Sequence, residues 1–239
     1  MKSSGTRDCN LEGARAEVYA FFSRLFLNKP TPEMLAGILN EQVASLIKAL
    51  FPYSEAAAAF RGLVEDYSRG VWQAESFLLD YEAMFHVPGG AYIHPFESVY
   101  RNYNFASGKA RHPIICGSCT QGAARVYEAE GLGLKEGFTE LPDHLGVELE
   151  FMAFLCRKAA EAIEAGDQDE AAAFRSKQSV FLGKHLLPWI RECLRKMEEN
   201  ASTPLYQCVA GLLRSFLEEE KLYWSYLETT DGPVCKSSG

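Results

Sequence analysis

The stretch DHLGVELEFMAFLCRKAAEAIEAG, residues 143–166, decides the fold class. Its apolar positions Leu145, Leu149, Met152, Cys156, Ala159 and Ile163 recur at steps of three and four, which lines one face of an α-helix. Asp143 offers a side-chain acceptor for the free N–H groups of the first turn, and Gly166 is the residue type at which such a helix stops. The spacing predicts the longest helix of the chain here.

The same period extends in both directions. Upstream, Leu11, Ala14, Val18, Phe21, Phe22 and Leu25 form a stripe, and Thr31-Pro32 opens a short second helix toward Leu39. Ser54 offers a cap for the stripe Ala57, Phe60, Leu63, Val64 and Tyr67, and Phe77, Leu78, Tyr81 and Phe85 mark another run. Residues 86–113 scatter Pro88, Gly89, Gly90, Pro95, Gly108 and Pro113 among aromatics, so a long loop with at most one helical turn is expected. Helix resumes over 117–130 and is broken by Gly131, Gly133 and Gly137. The connection through 137–143, ending at Leu141-Pro142, then reads as a hinge before the long helix.

Beyond Gly166, Asp167 and Glu170 stand at capping-box spacing before a helix that runs to Leu187. Pro188 restarts the chain as another helix, and Thr203-Pro204 starts the last, carried by Leu205, Val209, Leu212, Leu213, Phe216 and Leu217. No run alternates with period two. The expected architecture is all-α: one multi-helix globular domain over residues 1–239, with an aromatic-rich loop and a hinge between two helical halves.

Composition bounds the function. The 239 residues are 47% apolar and 23% charged, ordinary for a globular chain able to bury a sizeable core. Against 24 Lys+Arg stand 32 Asp+Glu, a net charge of −8, which argues against sequence-independent nucleic-acid binding. No apolar run approaches the roughly 20 residues that span a bilayer. The N-terminal Arg7, Asp8, Glu12 and Arg15 do not resemble a secretory signal, so a cytoplasmic location without stable membrane insertion is expected. The charge is local. Residues 128–170 hold twelve carboxylates against Lys135, Arg157 and Lys158, a net of −9, and the remainder is near neutral. A field of one sign steers the opposite charge, and a basic peptide is one such partner.

Enzymatic signatures are missing: no phosphate-cradling glycine loop, no H-E-x-x-H, no G-x-S-x-G and no pair of Glu-x-x-His units. No enzyme and no cofactor are expected. Among seven cysteines, Cys116-Gly-Ser-Cys119 stands apart, with His112 four residues before it. One C-x-x-C is half a tetrahedral metal site, and a cysteine at a helix N-terminus has a lowered pKa. These are weak metal candidates, and a metal- or redox-sensing helical protein remains the alternative reading beside incidental thiols. His144 and Glu148 stand at i and i+4, where the carboxylate would favour a protonated imidazole. With Asp143 they form either a poor acid–base set, as in a helical hydrolase, or an acidic lip beside apolar residues.

Three blocks then carry a resemblance. Glu140-Leu-Pro-Asp-His-Leu, followed by Glu148-Leu149 and Phe151-Met152, is similar to the E-x-P-D-H-[LI]-x-x-E-[LF] signature of the TorD/DmsD-like redox-enzyme maturation chaperones. Asp80-Tyr81-Glu82-Ala83-Met84-Phe85 with Pro95-Phe96-Glu97-Ser98-Val99-Tyr100 resembles that family's Y-x-x-L-F … P-x-x-S-x-Y block, with Met84 in place of Leu. Phe181-Leu182-Gly183-Lys184-His185-Leu186-Leu187-Pro188-Trp189 resembles its F-x-x-x-H-L-x-x-W segment. Cys116 and Cys119 are no part of the signature. The resemblance implies a chaperone that binds the twin-arginine signal peptide and immature catalytic subunit of a molybdenum-cofactor oxidoreductase until the cofactor is inserted. It places the peptide site at Pro142, Asp143 and His144 with Glu148, and extends it to Tyr81, Phe85, Pro95, Ser98 and Tyr100. Aromatics at 92–105 would add an apolar wall, in helix-in-groove recognition. Such a chain is expected as a monomer, or as a dimer that exchanges halves through the hinge.

Overall fold

The helical period becomes eleven α-helices among the residues described by the computed structural model, 2–101 and 116–230. In order they are α1 (Lys2–Leu27), α2 (Pro32–Ile38), α3 (Glu41–Leu50), α4 (Glu55–Ser68), α5 (Ala74–Phe85) and α6 (Glu97–Arg101). After the undescribed stretch come α7 (Ser118–Ala129), α8 (Leu145–Ala165), α9 (Gln168–Phe181), a π-helical turn (Leu182–Leu186), α10 (Ile190–Asn200) and α11 (Pro204–Thr230). Among the described residues there is no strand, and one antiparallel β-bridge joins Phe96 to His144. Tyr103, Phe105 and His112, assigned above to a loop wall and a metal ligand, lie outside the described residues.

Local chemistry sets the helix ends. The Thr31 side chain accepts the Met34 N–H at 3.2 Å, and that of Asp167 accepts the Glu170 N–H at 2.9 Å, as the sequence predicted. Gly166, at φ 81°, ends α8 in the left-handed conformation. The periodicity reading passed over α3, which Asn40 caps through the Val43 N–H at 3.0 Å and which buries only Ala44 and Ile47. Ser54 precedes α4 as expected, but its hydroxyl faces that of Ser215 at 3.0 Å rather than capping. Nor is α8 the longest helix. It has 21 residues against 26 in α1 and 27 in α11, because no proline or left-handed glycine interrupts those two.

Packing centres on α1 against α8, with α9 on α8 and with α11 against α4 and α10. Where α1 meets the start of α8, Gly146 allows the closest approach. A Cβ there would stand 2.5 Å from Leu27 Cγ, and the Ser23 hydroxyl donates to the Gly146 carbonyl at 2.8 Å. One continuous apolar core runs from Ala16, Tyr19 and Phe22 through Phe60, Phe77, Leu149 and Met152 to Leu213 and Leu217. Two buried polar clasps tie distant segments across it. The Arg15 guanidinium donates to both Glu220 carboxylate oxygens at 2.7 and 2.6 Å, and to Glu12 and Gln178, joining α1, α9 and α11. The Asp80 carboxylate accepts the N–H and the hydroxyl of both Ser202 and Thr203, so a residue of α5 caps the start of α11. Among the described residues no helix is long and apolar enough to cross a membrane.

Candidate functional site

The three sequence blocks meet at one place. The bridge sets residues 95–97 against 143–145: the Glu97 N–H donates to the Asp143 carbonyl at 3.0 Å, and the Leu145 N–H to the Pro95 carbonyl at 2.8 Å. Asp143 is a cap, though not of α8. Its Oδ2 accepts the Ser98 N–H at 2.9 Å, in the first turn of α6. The N-cap of α8 is His144, whose Nδ1 accepts the Gly146 N–H at 3.0 Å. Tyr127 of α7 donates to the Pro142 carbonyl at 2.9 Å and pins the end of the 130–142 connection.

Below this bridge lies a cluster of buried carboxylates. Glu97, Asp143 and Glu148 have no solvent exposure. Glu97 accepts from Arg101 Nη1 at 2.7 Å and meets His185 Nδ1 at 2.9 Å. Arg101 Nη1 also donates to the Lys184 carbonyl at 2.8 Å. Pro188, four residues on, has no N–H to offer that carbonyl, so the π-helical turn brings His185 and a spare acceptor to the same spot. The Trp189 indole donates to Glu148 Oε2 at 3.2 Å, and its ring stacks on Tyr100 at 5.4 Å. Burial, reinforced by the charge of Glu97, pushes the Glu148 carboxyl well above the usual range.

This geometry corrects two expectations. His144 and Glu148 form no ion pair: the ring nitrogen of His144 serves the helix cap, while Glu148 turns inward to Trp189. Glu140 Oε2 is 3.9 Å from His144 Nε2, a contact that would favour the imidazolium, but burial wins and drives the imidazole pKa down to about 3. The imidazole is therefore neutral. Nor do Asp143 and Glu148 form an exposed lip, since both carboxylates are sealed inside.

The other candidates also sit inside. Pro95, Ser98 and Tyr100 are buried beside the cluster, and Pro142 is half-buried. Tyr81 and Phe85 lie elsewhere, in the aromatic packing of α5 against α1 and α11. Tyr81 donates to the Phe26 carbonyl at 3.0 Å, and Phe85 stands edge-on to Phe26 and Tyr206. Cys116 is exposed with φ 69°, and Cys119 is half-buried at the start of α7. Burial and the charge of Glu97 raise the Cys119 thiol pKa, opposite to the lowering expected of a redox-active thiol at a helix start. Glu97, His185 and Trp189 were quoted above only as parts of motifs, and Arg101 not at all. Their signal was present, since Glu97 and Arg101, and His185 and Trp189, stand four apart on helical segments.

An accessible surface lies next to this frame. α7, the 130–142 connection and α8 enclose an open trough of about 410 Å³, floored by Tyr127, Val147 and Phe151 and walled by Leu134, Phe138 and Phe154. Leu134 and Phe138 are exposed at 41% and 37%, and Glu150, Lys135 and Arg157 line the same trough. Apart from Asp143 and Glu148, the carboxylates of 128–170 face solvent at least in part, and the trough itself is lined by one of them, Glu150, against Lys135 and Arg157.

Comparison with known proteins places this geometry in company. A family model described as nitrate reductase delta subunit matches residues 39–195. The chain is 25% identical over 214 residues to the chaperone protein TorD of Vibrio cholerae, covering 88% of this chain and 92% of that protein. It is 32% identical over 157 residues to a selenate reductase assembly chaperone protein of Thauera selenatis, covering 64% and 74%. It is 30% identical over 129 residues to a chlorate reductase assembly chaperone protein of Ideonella dechloratans, covering 54% and 61%.

Proposed function

The chain belongs to the nitrate reductase delta subunit family, the TorD-like maturation chaperones, and from that premise we propose that it is an assembly chaperone for the catalytic subunit of a molybdenum-cofactor oxidoreductase. It works in the cytoplasm, binds the client's twin-arginine signal peptide, and holds the immature subunit until the cofactor is in place. Its role is binding, not catalysis.

The observation that carries this reading is the apolar trough built largely from the most acidic stretch of the chain. A twin-arginine peptide is a cationic end followed by an apolar, helix-prone stretch. Its binder needs apolar wall and negative field side by side. Leu134, Phe138 and Phe154 supply the wall, and Glu150 with the exposed carboxylates elsewhere in 128–170 supplies the field. The Pro142, Asp143, His144 and Glu148 group, with Pro95, Ser98 and Tyr100, acts from beneath. Bridge, cap and buried hydrogen bonds hold the 130–142 connection at a set height over α8. Tyr81 and Phe85 pack α5 against α1 and α11 and steady the body of the chain.

Calorimetric titration with a twin-arginine peptide tests the reading. Binding is expected to weaken as salt rises, because exposed charges are screened beyond about 8–10 Å at physiological ionic strength. Phe138→Asp is expected to weaken it at least tenfold with helicity unchanged. A peptide with both arginines replaced by alanine that binds equally well would remove the acidic face from the argument. Full affinity in Phe138→Asp would remove the trough.

A further inference from the structure

We propose that Glu97, Glu148 and His185 form a binding site for one divalent first-row transition-metal ion. A carboxylate oxygen of each glutamate and a ring nitrogen of His185 all lie within 4.8 Å of one another. Glu97 Oε2 and His185 Nδ1 are 2.9 Å apart. Two ligands at right angles on a common ion, each about 2.1 Å from it, stand about 3 Å apart. The three donors come from α6, α8 and the π-helical turn, so an ion here would staple three segments far apart in sequence.

A separate observation points to a missing partner. Glu148 Oε1 and Asp143 Oδ1 are sealed from solvent, and no N–H or hydroxyl among the described residues donates to them; the Glu148 carboxyl instead meets that of Glu97. Buried polar atoms are almost always paired, and a buried carboxylate oxygen left bare is costly. The two basic side chains that contact the cluster, Arg101 and His185, both meet Glu97 rather than Glu148. A dication would supply the partner that Glu148 lacks.

The ligand chemistry selects the ion. An imidazole with two carboxylates suits Zn²⁺, Mn²⁺ or Fe²⁺ better than the all-oxygen preference of Mg²⁺ or Ca²⁺. An outer layer of support is also present: Trp189 donates to Glu148, and Arg101 to Glu97. Access runs past His185, 9% exposed, where Gly122 of α7 passes so close that a Cβ would be 3.4 Å from the ring. The bland competitor is a proton shared by the two glutamates. This proposal stands independently of the client reading.

Protein stripped with chelator and then titrated with Co²⁺, and separately with Zn²⁺ and Mn²⁺, decides the matter. One equivalent of Co²⁺ is expected to bind with visible d–d absorption, without the near-ultraviolet band of a cobalt thiolate, and to raise the melting temperature. Glu148→Gln and His185→Gln are expected to weaken binding at least tenfold while the circular dichroism is unchanged. The double variant Cys116→Ser, Cys119→Ser is expected to bind Co²⁺ like the parent. No uptake by the parent protein, or full affinity in Glu148→Gln, would overturn the proposal in favour of the shared proton. A thiolate band lost in the cysteine variant would overturn it in favour of the Cys pair. Should Glu148→Gln fail to fold, the parent spectrum and the cysteine variant still decide.

Discussion

Replacing His144 with asparagine is expected to flatten the acid side of the stability profile. His144 is the N-cap of α8, with Nδ1 on the Gly146 N–H and the ring edge-on to Phe96 at 5.3 Å. Burial, with a small push from His86, takes the imidazole from an ordinary pKa of 6.5 to about 3. The folded state therefore prefers the neutral ring. Between these two values the unfolded chain binds a proton that the folded chain refuses, so stability present above pH 6.5 drains away as the pH falls toward 3. The slope approaches about 1.4 kcal/mol per pH unit. By pH 5 the loss from this one ring reaches about 2 kcal/mol, or about 4 °C in melting temperature for a chain of this length. Asparagine keeps an acceptor for the Gly146 N–H and cannot titrate. Its smaller side chain loses the contact with Phe96, which offsets the variant by a constant at every pH. Urea denaturation of both proteins at half-unit steps from pH 7.5 to 4.5 measures the difference. The curves should converge or cross toward acid, with the gap between them changing by about 2 kcal/mol from pH 7 to pH 5. Parallel curves would mean that His144 charges in the folded state, and the capping geometry would be wrong.

Asp80→Ala removes the acceptor of four hydrogen bonds and strands the Ser202 and Thr203 N–H groups at the buried start of α11. The expected cost is about 3–4 kcal/mol in chemical denaturation, and a loss below about 1 kcal/mol would show that water replaces the carboxylate at this helix end. Arg15→Met leaves Glu220 and Glu12 buried without their common cation. It should destabilise by about 3–5 kcal/mol, and Glu220→Leu added to it should recover part of the loss; a double variant no better than the single would refute the ionic origin.

Much of the fold was legible because its signals are local. The stripe of α8, the Thr31 and Asp167 caps and the Gly166 stop each involve residues within four positions of one another, and each appears where the pattern placed it. α3 escaped because ten residues that bury two side chains leave a weak stripe. The candidate site was legible in part of its membership and illegible in arrangement. Asp143, His144 and Glu148 do gather beside Pro95, Ser98 and Tyr100. Yet the pairing of His144 with Glu148, which four-residue spacing favours, loses to other partners, one adjacent and one distant. The Gly146 N–H takes the imidazole, and the Trp189 indole, 41 positions away, takes the carboxylate.

Periodicity and charge order were therefore settled along the chain: an all-α chain with most of its helices and some of their ends, and a band of carboxylates at 128–170. Which carboxylates of that band meet solvent was decided only by assembly. A 3.6-residue period states which face of a helix is apolar, not what lies opposite each of its polar residues. Asp143 and Glu148 are drawn inward because the Ser98 N–H and the Trp189 indole wait there, on segments 45 and 41 positions away. Glu150, on the same helix as Glu148, meets no such partner among the described residues and faces water at the edge of the trough. Electrostatics and hydrogen bonding act through space, and at this site the space is built by α6, α8 and the π-helical turn together.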